Sequence, residues 1–61
     1  MKRVMKKAEF ERLVVENKLR VFRGELEVSA GEARPGYEVE YLGRTYTITG
    51  VGALIEMEDC F

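Results

Sequence analysis

Residues 37–49 read YEVEYLGRTYTIT, and no other stretch restricts the fold as strongly, because it names its own pairing partner. Tyr37, Val39 and Tyr41 alternate with Glu38 and Glu40; beyond Leu42-Gly43-Arg44, Tyr46 and Ile48 alternate with Thr45, Thr47 and Thr49. A period of two with aromatic and β-branched residues on both arms is the signature of a β-hairpin. A Gly43-Arg44 loop sets Tyr41 against Tyr46, Val39 against Ile48, Glu40 against Thr47 and Glu38 against Thr49, with the glycine supplying the positive φ of a type II′ turn. A Leu42-Gly43 loop keeps the same two faces with shifted partners. A slip by one residue would instead carry Tyr41 and Ile48 to the wet side, which burial energy forbids.

The rest of the chain has to cover that hairpin with little material. A chain of 61 residues makes one domain, 1–61, and buries only about 60% of the surface it exposes when unfolded. One cysteine and no histidine leave neither an internal disulfide nor a Cys/His zinc set as a staple. Homodimerisation is the expected remedy. No apolar run is long enough to span a membrane, and Met1-Lys2-Arg3 leads into further lysines and not into the apolar core of a signal peptide. A cytoplasmic protein is the expectation.

In chain order, residues 1–7 form a basic segment and residues 8–18 (AEFERLVVENK) predict a helix, with Phe10, Leu13, Val14 and Asn17 on one face. No Ser, Thr, Asp or Asn stands ready as its N-cap, so a hairpin turning at Asn17-Lys18 is the competing reading. Residues 19–28 predict one strand with Phe22, Gly24, Leu26 and Val28 on the core face, Gly24 marking a bulge or a close approach. Residues 29–36 (SAGEARPG) are loop, and residues 53–58 a last strand with Ala53, Ile55 and Met57 inward. The predicted fold is α+β: an N-terminal helix packed on a four-stranded antiparallel meander within 19–58, the alternative being a small SH3-like β-barrel with a leading helix.

Charge is strongly segregated along the chain. Residues 1–23 carry eight basic and three acidic side chains, net +5, and residues 24–61 two basic and eight acidic, net −6. Strand parity places Glu25, Glu27, Glu38, Glu40, Glu56 and Glu58 opposite the core, interleaved with Thr45, Thr47 and Thr49, as a partner-binding face for a protein with a basic surface. The same pattern is also what a one-layer sheet needs in order to stay soluble. Lys2, Arg3, Lys6, Lys7 and Arg12 form the alternative site, a basic prong able to grip the phosphates of a nucleic acid. Tyr37, Tyr41 and Tyr46 could stack bases, but their parity with Val39 and Ile48 points to the core or a dimer interface.

Enzymatic activity is not expected. Histidine, the usual general base, is absent. Cys60 lies beside Asp59 and close to Glu56 and Glu58, whose charges suppress a thiolate. Glu56, Glu58 and Asp59 lack the spaced oxygen ligands of a calcium loop, and Gly50-Val51-Gly52 is followed by neither a helix nor a lysine, so no metal and no cofactor are implied. Phe61 is a candidate anchor, in a partner or in its own core. The run Tyr41-x-Gly43-Arg44-x-Tyr46-x-Ile48 resembles hairpins of many small β domains, phage proteins among them, over eight residues. The function expected is a small non-enzymatic regulator or inhibitor, of the kind phages and mobile elements encode, that docks on a basic partner through the acidic sheet face.

Overall fold

Lys2–Lys6, the segment that the sequence marks as a basic prong, is a strand. The computed structural model describes residues 2–59, so the readings of Cys60 and Phe61 lie outside the described residues. The elements are β1 (Lys2–Lys6), α1 (Lys7–Val15), β2 (Leu19–Arg23), β3 (Leu26–Val28), β4 (Glu38–Tyr41), β5 (Arg44–Val51) and β6 (Leu54–Asp59), with a single 3-10 turn at Ala30–Glu32. The strands form one antiparallel sheet in the order β1-β6-β5-β4-β2-β3. Both predicted architectures are therefore corrected: the sheet has six strands and is not a four-stranded meander, and it does not close into a barrel.

Two local misreadings account for the difference. The first concerns residues 2–6, where Arg3 and Met5 share the core face of β6's Met57 and Ile55, while Lys2 and Val4 face Glu58 and Glu56. Only a partner strand makes this alternation a strand, and β6 supplies it from fifty residues further along the chain. The helix accordingly begins at Lys7 and has no side-chain N-cap bond. It ends at Val15, earlier than expected, because Asn17 turns left-handed at φ 60°. The N–H of Lys18 then donates to Leu13 C=O at 2.9 Å and that of Asn17 to Val14 C=O at 3.1 Å, a Schellman closure. The hairpin reading of Asn17-Lys18 is thereby overturned.

The second misreading is Gly24. With φ 63° it occupies the first central position of a tight turn, the place a type II′ loop reserves for glycine. Residues 19–28 are consequently two strands, paired Val21 to Val28, Phe22 to Glu27 and Arg23 to Leu26. Phe22 moves from the expected core face to the outer face, where the Arg20 guanidinium lies 5.5 Å from its ring centroid. At the central hairpin, Leu42 (φ 53°) and Gly43 (φ 76°) are both left-handed, so the loop is Leu42-Gly43 and not Gly43-Arg44. Val39 thus pairs with Tyr46 and Glu40 with Thr45. The faces survive the change of partner.

One face of the sheet buries the core: Met5, Leu19, Val21, Val39, Tyr46, Ile48, Ile55 and Met57 meet Phe10 and Leu13 of α1 and Ala33 of the loop. Helix α1 links edge strand β1 to β2 and so crosses the concave side of the sheet. The connection from β3 to β4 runs over that side too, with Ala33 buried in the core and Ala30 packed against it, before Gly36 and Tyr37 join the edge of β5 through 2.8 Å backbone bonds with Ile48. Among the described residues no helix or loop covers the convex face.

Candidate functional site

The uncovered face is set by cross-strand register. Along one row it presents, from edge to edge, Lys2, Glu58, Thr47, Glu38, Phe22 and Glu27. A second row places Thr45, Glu40 and Arg20 side by side. A bulge at Thr49 shifts the β5–β6 register, so that Gly50 faces Glu56. A β-carbon on Gly50 would sit 3.5 Å from a Glu56 carboxylate oxygen, an ordinary contact.

Five of the six glutamates expected on this face, Glu27, Glu38, Glu40, Glu56 and Glu58, stand on it. Glu25 lies in the β2–β3 turn at its margin. They are not equivalent electrostatically. Glu56 accepts from Lys2 Nζ at 2.8 Å, and this bond, reinforced by the charges of Glu56 and Glu58, holds the Lys2 ammonium above its usual range. Glu27 takes two bonds from the Arg20 guanidinium, at 3.0 and 3.4 Å, which keep its carboxyl below the usual carboxylate range. Arg20 rises in return, with Glu40 adding to the field it feels. Glu38, Glu40 and Glu58 form no ion pair within 4.0 Å among the described residues.

The face is thus an acidic strip on β4 and β6, with Thr45 and Thr47 of β5 running down its middle. Basic side chains of β1 and β2 border it on both flanks. Carboxylates two strands apart are separated by about 10 Å. A single ion does not bridge that spacing, and among the described residues no three acidic groups come close enough to hold a metal.

The basic residues of the alternative site are dispersed. Lys2 and Lys6 face outward on β1, Arg3 faces inward, and Lys7 and Arg12 lie on α1. Arg3 is engaged within the fold, its guanidinium 5.2 Å from the Tyr41 ring centroid and 5.9 Å from that of Tyr46. Tyr46 is buried and Tyr41 half-buried, so these rings belong to the core.

Sequence reasoning missed Arg20 and Phe22 as members of the convex face. The available signal was Gly24-Glu25, read as a two-residue turn. An open depression of about 330 Å³ lies between Asn17-Lys18 and the Leu42-Gly43 turn. Its cations are each spoken for: Lys18 by Glu16 at 3.5 Å, Arg20 by Glu27, and Arg44 by Asp59 at 3.0 Å. Among the described residues no helix is long and apolar enough to cross a membrane. The chain matches no protein-family model, no curated protein and no solved structure.

Proposed function

We propose that the protein is a non-enzymatic binding protein, a regulator or inhibitor that docks its convex acidic face onto the basic surface of a protein partner. The observation that carries this reading is the set Glu38, Glu40 and Glu58: three carboxylates on the convex face, on strands β4 and β6 with Thr47 and Thr45 of β5 between them, and with no ion pair among the described residues. Such a strip attracts a basic surface over a Debye length and orders the encounter. The phosphate-binding alternative loses ground because Arg3 is occupied by two tyrosine rings and Lys2 by Glu56.

The test uses a lysine- and arginine-rich peptide as probe, followed by backbone amide NMR at low and moderate salt. Salt-sensitive shifts confined to Glu38, Glu40, Thr45, Thr47 and Glu58, lost in a Glu38→Lys, Glu40→Lys, Glu58→Lys variant, are the expected result. Parallel anisotropy titrations with single-stranded DNA, duplex DNA and RNA supply the opposing outcome. Steeply salt-dependent nucleic-acid binding that this triple variant retains or strengthens would overturn the proposal.

A further inference from the structure

The sheet has two free edges, and they are unlike. At β1 the N–H of Lys7 donates to Ala53 C=O, in line with the pairs Met5–Ile55 and Arg3–Met57. Backbone groups alternate in direction along a strand, so those of Lys2, Val4 and Lys6 point out to the open edge. At β3 the two-residue turn makes Arg23–Leu26 the hydrogen-bonded pair, which directs the backbone of Glu27 to the opposite open edge. Each edge also shows an apolar side chain to solvent, Val4 (47% exposed) on one and Leu26 (55%) on the other.

We propose that copies of this chain associate head to tail, β1 of one pairing antiparallel with β3 of the next. Three independent features of the fold agree with that geometry. Every neighbouring pair in the six-stranded sheet is antiparallel, so β1 and β3 run in opposite directions and a second copy needs no flip to continue the alternation. Val4 and Glu27 both face the convex side and both direct their backbone groups outward, the two conditions a hydrogen-bonded antiparallel pair must meet. Setting Val4 opposite Glu27 then brings Lys6 opposite Glu25, Met5 opposite Leu26, and Lys2 opposite Ser29. On the convex side Lys6 meets the Glu25 carboxylate and Lys2 lies diagonal to Glu27, while on the concave side Met5 meets Leu26 and Arg3 lies opposite Val28.

Like edges are discouraged by the same residues. A two-fold pairing of β1 with β1 about Val4 sets Lys2 against Lys6, and a pairing of β3 with β3 about Glu27 sets two carboxylates face to face; like charges directly opposite are destabilising. The contact is therefore heterologous, and the coil of the sheet leads it to a ring or a short open chain and not to a two-fold dimer. It leaves the convex strip of Glu38, Glu40 and Glu58 accessible.

The experiment is sedimentation velocity on the wild type and on Lys6→Glu and Glu25→Lys variants, chosen because neither residue belongs to an ion pair among the described residues. The wild type should exceed its 7.0 kDa monomer mass as concentration rises, and should dissociate as salt rises. Each variant alone should associate about fivefold more weakly, having like charges at the junction. An equimolar mixture of the two should recover wild-type association, because Glu at 6 in one then meets Lys at 25 in the other. Recovery on mixing cannot arise from misfolding. A wild type that stays monomeric at low salt and high concentration, a dimer indifferent to salt, or a mixture no stronger than its components would each overturn the proposal.

Discussion

The guanidinium of Arg3, on edge strand β1, lies over the ring of Tyr41 on β4, 5.2 Å from its centroid, although β6 and β5 stand between the two strands. In a flat sheet three strand spacings amount to about 14 Å, more than an arginine side chain spans. Both side chains lean across β6 and β5 to meet, helped by the twist of the sheet, and Arg3 covers part of the concave face beside α1. Replacing Arg3 with Ala should lower stability by about 1–2 kcal/mol, and Lys should restore part of it, since a cation over Tyr41 and Tyr46 is worth about 0.5–2 kcal/mol. Urea midpoints of the three proteins check this; equal midpoints for Arg3→Ala and wild type would refute it.

Leu42 sits at φ 53° with most of its side chain in solvent. A left-handed leucine costs about 1–2 kcal/mol, a position where asparagine or glycine is at ease. Leu42→Asn should raise the urea midpoint, by about 0.5–1 kcal/mol in stability. A lower midpoint would mean that Leu42 contributes packing which its exposure does not reveal.

Gly24 is the reverse case. A β-carbon there would meet no atom within 4 Å, yet φ 63° is strained for any other residue. Gly24→Ala should therefore destabilise by about 1 kcal/mol through backbone strain alone, and Gly24→Asn by less. Equal losses for the two would point to a steric cause instead.

Phe10 is fully buried under the sheet. Truncating such a residue to alanine costs about 3–5 kcal/mol, and a domain of this length holds on the order of 3–9 kcal/mol in total. Phe10→Ala should leave a chain largely unfolded at room temperature by circular dichroism, whereas Phe10→Leu should stay folded.

Acid stability should register the Arg20–Glu27 pair. Bonding to Arg20 lowers the Glu27 carboxyl from 4.5 in the folded chain. A depressed folded value means that the stabilisation is fully present above 4.5 and disappears as pH falls through the lower, folded value. Arg20→Gln should therefore flatten the acid limb of the stability curve below pH 4.5, while changing its slope little near neutrality. The effect is small because the pair is exposed to solvent.

Residues 37–49 determined their hairpin and its two faces without help from the rest of the chain. Alternation binds Val39, Tyr46 and Ile48 to one side and Glu38, Glu40, Thr45 and Thr47 to the other, whichever residues form the turn. The same logic placed Glu56 and Glu58 outward. Asn17, read as part of the helix, instead ends it through its own tolerance of a left-handed backbone.

What the tertiary structure alone decided were the segments whose local signal serves two outcomes. Lys2–Lys6 has the composition of a solvated tail and becomes a strand because β6 offers an edge on which Met5 can be buried and Lys2 paired with Glu56. Gly24 reads as a bulge or as a turn until β2 is seen to pair with β4 through Leu19, Val21 and Phe22. That pairing leaves the other side of β2 for β3 and moves Phe22 and Arg20 onto the convex face. Both outcomes depend on hydrogen bonds and buried contacts between residues distant in sequence: Gly24-Glu25 is compatible with a two-residue turn, but only the β2–β4 pairing ranks the turn above the bulge.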